Sequence, residues 1–359
     1  HSVQFYRQQL QWLGGMGIIV LAVAILPILG VGGMQLYRAE TPGPVKDNKM
    51  TPRIADTAKH LWYIYLSITI ACAGAYWLAG MNVFDSICHA FSTVAIGGFS
   101  NHDASLGYFN SPMVNVVCTV FLLIAALNFS LHYAAVSSRS VKGYFKDPEF
   151  KAFFIIQASL IGICFLVLTL SGYYTSAEQA LDQAMIQAVS ISTTAGFATT
   201  DFSIWPTFLP IMLIFSSFIG GCASSTGGGL KVVRVCLLFL QGKREVDRLI
   251  HPKAVYSVKF GDRAMPDRVV EAVWGFFSAY AVVFVVLMIG LIATGLDNLS
   301  AFTATAAMLN NLGPGLGSVA ANYADVTDAG KWILVTGMVF GRLEVFSLLV
   351  LFSPTFWRS

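Results

Sequence analysis

Charge is what this sequence has least of. Lysine, arginine, aspartate and glutamate together make up 11% of its 359 residues, against about a quarter of an ordinary soluble domain. A shortage of that size excludes a water-soluble globule. No Cys-x-x-Cys spacing occurs among the six cysteines, and none is paired with histidine in a way that suggests a metal site. Cys72, Cys88, Cys118, Cys164, Cys222 and Cys236 instead sit in apolar runs, as lipid- or core-facing residues. No glycine-rich stretch ends in Gly-Lys-Ser/Thr, so a nucleotide-hydrolysing phosphate loop is excluded. No nucleophile stands beside a base, and no cluster of His, Asp or Glu is present for a membrane-embedded enzyme. No covalently bound cofactor and no nucleic-acid partner are expected.

What fills the chain is apolar. Hydrophobic residues make up 56% of it and the mean hydropathy is +0.67, which points to an all-α polytopic membrane protein. A bilayer core about 30 Å thick needs about 20 apolar helical residues to cross it. Seven runs fit: Trp12 to Leu29, Leu61 to Gly80, Met113 to Ser137, Ala152 to Gly172, Trp205 to Leu240, Val269 to Gly295 and Lys331 to Phe352. Of the 22 Lys and Arg residues, 19 fall on alternate connections and at the C-terminal end. Arg38, Lys46, Lys49, Arg53 and Lys59 fill the first, and Arg139, Lys142, Lys146 and Lys151 the second. The third holds Lys231, Arg234, Lys243, Arg244, Arg248, Lys253, Lys259, Arg263 and Arg268, and Arg358 follows the last span. Positive charge collects on the cytoplasmic side, so the other connections open outward.

Those outward connections carry three related turns. Ser92 to Ser100 contains Ile96-Gly97-Gly98-Phe99, Ser192 to Thr200 contains Thr194-Ala195-Gly196-Phe197, and Leu309 to Gly315 contains Leu312-Gly313-Pro314-Gly315. Each follows a segment too short to cross a bilayer: Val83 to Val94, Ala177 to Ser192 and Leu299 to Leu309. Gly98 and Gly196 lie 98 residues apart, Gly196 and Gly313 lie 117 apart, and the result is an internal repeat of helix, short re-entrant helix, turn and helix. Trp12 to Leu29 reads as the closing helix of an earlier unit. Because the chain opens on His1, the expectation is that this unit's first helix and turn precede it. The repeats imply a pseudo-fourfold arrangement around one path. Its expected divisions are a truncated first repeat with a cytoplasmic linker (1–60), a second pore repeat (61–150), a third with a glycine-rich intramembrane loop and basic linker (151–268), and a fourth (269–359).

These turns suit a cation. Irregular backbone at membrane depth survives only where it lines water or is buried in protein, and a Gly/Ser/Thr-rich turn can aim its carbonyls at an ion in place of water. Asn82 with Asp85, and Thr175 with Glu178, have the spacing of an N-terminal capping box. The opposite, C-terminal ends of the short helices, with about half a negative charge each, then face the turns.

The three turns resemble the filter segments of the Trk/Ktr/HKT superfamily of potassium transporters, in which four potassium-channel-like units surround one ion path and each filter contributes a central glycine. The resemblance covers the chain from the first helix onward. It implies filter residues Ala95, Ile96, Gly97 and Gly98, then Thr194, Ala195, Gly196 and Phe197, then Asn311, Leu312, Gly313 and Pro314. Potassium, as the transported ligand, would meet the backbone carbonyls of Ile96, Gly97, Thr194, Ala195, Asn311 and Leu312. Two positions depart from the family pattern: the second turn has a doubled glycine, and the fourth has Gly-Pro in place of Gly-Phe. The resemblance further implies a bacterial inner-membrane location, a homodimer, contact with membrane lipid, and a TrkA-like cytoplasmic nucleotide-binding ring as regulator.

Gly220, Gly221, Cys222, Ala223, Ser224, Ser225, Thr226, Gly227, Gly228 and Gly229 interrupt the fifth span. Five glycines at roughly 1 kcal/mol each predict a break in the helix. The stretch is either close packing of small residues between helices or a flexible loop closing the path under the filter, and the family resemblance favours the loop. Arg342 in the last span is either one half of a structural ion pair with another helix or a barrier projecting into the path, and it does not share a helix face with Glu344. His89 and His132 read as satisfied core groups. The basic segment Gln241 to Arg268 reflects the charge bias and anionic lipid, or docks a regulator. The expected function is potassium uptake through one central pore. The alternative is a secondary transporter of sodium or ammonium built on broken helices, which calls for inverted repeats and midplane carboxylates.

Overall fold

The computed structural model describes residues 1–25, 54–252, 254, 256–343, 345 and 348, without the side chains of 16–25, 54–58 and 263. Its elements follow the repeat. Helix α1 (Ser2–Ile25) comes first. One unit follows as α2 (Ile54–Leu78), the short α3 (Val83–Val94), a turn, α4 (Pro112–Ala125) and α5 (Phe129–Ser138). The next is α6 (Pro148–Leu170), the short α7 (Ala177–Ser192), a turn, α8 (Leu209–Ser217) and α9 (Val232–Ile250). The last is α10 (Asp267–Ala293), the short α11 (Asn298–Leu309), a turn and α12 (Asp328–Arg342). Strand is confined, among the described residues, to a hairpin of Lys259–Phe260 with Arg263–Ala264.

Each short helix packs against the long helix before it, and α4 packs on α7 of the next unit. The short helices are buried nearly all round their inner halves, polar residues such as Ser92, Ser190 and Thr303 included. Ala90, Val94, Ala188, Ile191, Ala304 and Ala307 have almost no exposed surface. The long helices keep many apolar side chains outward, among them Ile70, Ile155, Val282 and Val286. An exposed apolar surface of that extent suits lipid.

Among the described residues, three single helices are long and apolar enough to cross a membrane: Lys59–Leu78, Pro148–Leu170 and Asp267–Ala293. The expected span Met113 to Ser137 is not straight. α4 and α5 meet at 88°, because Asn128 caps a new helix by accepting from the Ser130 N–H at 2.8 Å. The backbone freed at the bend bonds to the glycine-rich stretch: Cys222 N–H donates to Ala126 O at 2.8 Å and Phe129 N–H to Ser224 O at 3.2 Å. The span Trp205 to Leu240 is broken, with no helix between Ser217 and Val232. The first and last spans run into residues outside the described set, as do Arg38, Lys46, Lys49, Arg53, Lys253, Glu344 and Arg358.

Two sequence expectations need correction. The second short helix is capped one residue later than expected, by Ser176 Oγ accepting from Gln179 N–H at 3.1 Å rather than by Thr175. Lys231 and Arg234 do not lie on an open cytoplasmic connection, since both are buried. Arg234 lies over the Phe276 ring at 4.2 Å, and Lys231 turns back into the broken span. His89 and His132 are satisfied core groups: His89 Nδ1–H donates to Asp85 O at 2.8 Å, and His132 Nε2–H to Ile124 O at 3.0 Å.

Candidate ion path and gate

The three turns are built by one hydrogen-bond pattern. Ala95, Thr193 and Asn310 donate to the carbonyl four residues back (Phe91, Val189, Ala306) at 3.0 to 3.2 Å. Ile96, Thr194 and Asn311 donate three residues back, to Thr93, Ile191 and Met308, at 3.0 to 3.1 Å. Gly97, Ala195 and Leu312 donate five residues back, to Ser92, Ser190 and Ala307, at 2.7 to 2.8 Å. The last bond is the long closure of a Schellman ending, which normally places glycine at its left-handed residue. Here Ile96, Thr194 and Asn311 take that conformation, with φ of 52°, 68° and 57°. A left-handed non-glycine residue costs about 1–2 kcal/mol, and such strain persists where the surroundings over-determine the backbone.

Two residues on, Gly98, Gly196 and Gly313 also have positive φ, of 68°, 86° and 103°. The intervening Gly97, Ala195 and Leu312 do not. Alternation in the sign of φ brings successive carbonyls toward one face, whereas a strand sends them to opposite faces. Among the described residues no donor occupies the carbonyls of Ile96, Gly97, Thr194, Ala195, Asn311 or Leu312. The flanking carbonyls are taken: Gln8 Nε2 donates to Phe99 O at 3.0 Å, Ser190 Oγ to Phe197 O at 2.7 Å, and Tyr323 Oη to Gly313 O at 2.7 Å. The open carbonyls therefore form a run in each turn, which extends through Gly98 and Gly196 in the first two and ends at a closed carbonyl beyond.

The turns abut one another. A Cβ on Gly98 would overlap the Ala195 carbonyl, and one on Gly196 would overlap the Leu312 carbonyl and lie 2.9 Å from Pro314 Cδ. Glycine is thus required twice over, by dihedral and by contact. Farther out, Gly107 N–H donates to Ala198 O at 3.2 Å, tying the second unit's outer loop to the third turn. The short-helix N-termini hold acids. Asn82 Oδ1 caps Asp85 N–H at 2.8 Å and Asp297 Oδ2 caps Ser300 N–H at 3.1 Å. Burial disfavours a charged Asp85, but donors on Asn101, His102 and Asn82 outweigh it and hold the carboxyl below its usual range.

On the opposite side, residues 220–229 run across the ends of all three short helices. Thr226 Oγ1 donates to Val94 O at 2.9 Å and Gly228 N–H to Thr194 Oγ1 at 2.7 Å. A Cβ on Gly228 would overlap Asn310 O, and one on Gly227 would lie 2.9 Å from Thr193 O. Three ionisable side chains brace this stretch. Arg342 donates to Thr226 O at 3.2 Å and to Gly14 O and Gly15 O on α1 at 3.1 and 3.3 Å. It reaches them because Gly341 lets α12 close onto the Leu309 carbonyl, where a Cβ would overlap. Lys231 Nζ donates to Ser225 O at 3.3 Å and to Gly227 O. Glu149, 6% exposed, accepts from Ala223 N–H at 2.7 Å.

Sequence reasoning missed Lys231, Glu149 and Asn310. Asn310 joins Tyr280 Oη (2.6 Å) to Ser217 Oγ (3.0 Å) at the inner end of the fourth turn. Lys231 was legible as a cation two residues after the glycine run; Glu149 and Asn310 left no local signal. Among the described residues no group of three or more His, Cys, Asp or Glu side chains is placed to hold a metal ion.

Comparison with known proteins agrees with this architecture. The family model described as "TrkH: Cation transport protein" matches residues 1–359. The chain is 68% identical over 360 residues to the Trk system potassium uptake protein TrkH of Vibrio parahaemolyticus, covering 100% of this chain and 74% of that one. It is 63% identical over 359 residues to the protein of the same name in Escherichia coli, with the same coverage. The crystal structure of the potassium transporter TrkH from Vibrio parahaemolyticus superposes with a TM-score of 0.88 at 64% identity, covering 99% of this chain and 73% of that one. With the whole chain matched by the family model and relatives so near, the chain belongs to the TrkH family of cation transport proteins.

Proposed function

We propose that this chain takes up potassium through one path lined by the carbonyls of its three turns. The family is one of transporters, not enzymes, and the relatives' names specify potassium uptake. The observation that carries the reading is the threefold recurrence of alternating φ with open carbonyls at Ile96/Gly97, Thr194/Ala195 and Asn311/Leu312. Carbonyl dipoles so arranged can replace an ion's water shell, and the short-helix C-termini beneath them add negative potential. Ala95, Gly98, Gly196, Phe197, Gly313 and Pro314 complete the filter segments. Gly220 to Gly229, with Arg342, form the gate: the loop closes the inner side of the path and the guanidinium raises the barrier to cations.

The chain acts in the bacterial inner membrane, with its turns outward, as repeats 61–150, 151–268 and 269–359 behind the helix of 1–60. The relatives belong to a named Trk system, which supports assembly with other components. Those we propose are a second copy of this chain and a TrkA-like cytoplasmic ring. Reconstitution in liposomes tests the function. Rubidium uptake should be competed by potassium and little affected by equal sodium, and equal competition by both ions would refute a potassium path.

A further inference from the structure

Gln4, Arg7, Gln8 and Gln11 recur at intervals of three and four on α1, which puts them on one helical face. That face lies along the outer limb of the second turn, in reverse order. Gln4 Nε2 donates to Asn101 O at 3.0 Å, Arg7 to Ser100 O at 2.6 Å, and Gln8 Nε2 to Phe99 O at 3.0 Å. The Arg7 guanidinium also covers the Phe99 ring at 4.8 Å. One step further along, the Gln11 amide fills the space that a Cβ on Gly97 would need, and its Oε1 accepts from Ser92 Oγ at 3.3 Å.

This contact accounts for the doubled glycine. Gly97 does not have positive φ, so its dihedral does not demand glycine; the Gln11 amide does. At the equivalent positions Ala195 and Leu312 carry side chains that are buried in the core. Those side chains stiffen their own turns. Two consecutive glycines leave the second turn the freest backbone of the three, and α1 supplies from outside what that turn lacks.

We propose that the polar stripe of α1 is a buttress for the second turn, and that Gln11 is a positioning residue that sets the ion preference of the filter by fixing Gly97. The inference rests on the filter reading above. Its test is a double-mutant cycle on the full chain in liposomes, reading rubidium and sodium uptake separately. Gln11→Ala should lower the rubidium-over-sodium preference by about two- to tenfold, the factor a single hydrogen-bonding side chain is commonly worth. Gly97→Ala should lower it as well, but in the Gln11→Ala background the added methyl has room and costs little more, so the two effects are non-additive.

An unchanged preference in Gln11→Ala would overturn the proposal. So would an equal loss from Gly97→Ala in both backgrounds. If Gly97→Ala alone does not fold, folding of the double variant supports the contact, and failure of both leaves Gln11→Ala to decide. Gly196→Ser, run in parallel, separates the two layers of the argument. No change there sinks the filter reading itself, whereas a changed preference there with additive Gln11 and Gly97 effects sinks only the buttress.

Discussion

Gly196→Ala isolates how tightly the turns depend on one another. Two terms act on it. The residue has φ of 86°, where an L side chain costs about 1–2 kcal/mol. Its new Cβ would also overlap the Leu312 carbonyl and meet Pro314, and overpacking a filled site costs about 1–3 kcal/mol. Gly172 is the control: its φ of 64° imposes the first term, and no atom lies within 4 Å of a Cβ there. Gly196→Ala should therefore lose about 2–5 kcal/mol locally and Gly172→Ala about 1–2. At 1.36 kcal/mol per tenfold, the difference is roughly five- to a hundredfold or more in rubidium uptake. The assay is uptake into liposomes at matched protein, with thermal unfolding of both variants in detergent. Equal damage from the two substitutions would refute the argument that neighbouring turns support one another's backbone.

Three other outcomes follow from the braces around the path. Arg342→Ala removes donors to Thr226, Gly14 and Gly15 and should raise rubidium flux by about tenfold, equivalent to 1.36 kcal/mol; flux that does not rise counts against a barrier role. Glu149→Gln replaces the buried carboxyl that accepts from Ala223 N–H with an amide, a loss of about 1 kcal/mol, and should raise both flux and the rate at which a thiol reagent modifies Cys222, mapped by mass spectrometry. Unaltered modification would separate Glu149 from the loop. Asp85 is held below its usual range, so its contribution is complete above the ordinary carboxylate value of about 3.9 and is lost as pH falls through the lower folded value. The gap in unfolding temperature between the native chain and Asp85→Asn should shrink as pH drops from 7 toward 3; a constant gap would mean that the stabilisation does not depend on the charge.

Much of the architecture was legible because membrane helices must satisfy their own backbone, so apolar runs and their interruptions report directly on structure. The short helices Val83–Val94 and Ala177–Ser192 begin and end where polar caps and glycine turns mark them. The break after Ser217 was written in its glycines. The 88° bend between α4 and α5 was not, because one asparagine in an apolar run carries the signal and its partners lie about a hundred residues on, in the glycine-rich stretch. Lys231 misled for a related reason. A cation at the start of a basic segment resembles its neighbours, and only the fold reveals that its ammonium returns to Ser225 and Gly227. The α1 stripe was present in the spacing of Gln4, Arg7, Gln8 and Gln11, but its meaning needed the carbonyls it faces.

Competition for rubidium uptake in Gly196→Ser, set beside the native chain in the same liposomes, tests the central claim most directly. If the alternating carbonyls of the three turns are the filter, native uptake is blocked by potassium and spared by sodium, and the substitution lets sodium compete. Uptake in Gly196→Ser that still discriminates as the native chain does would contradict the account.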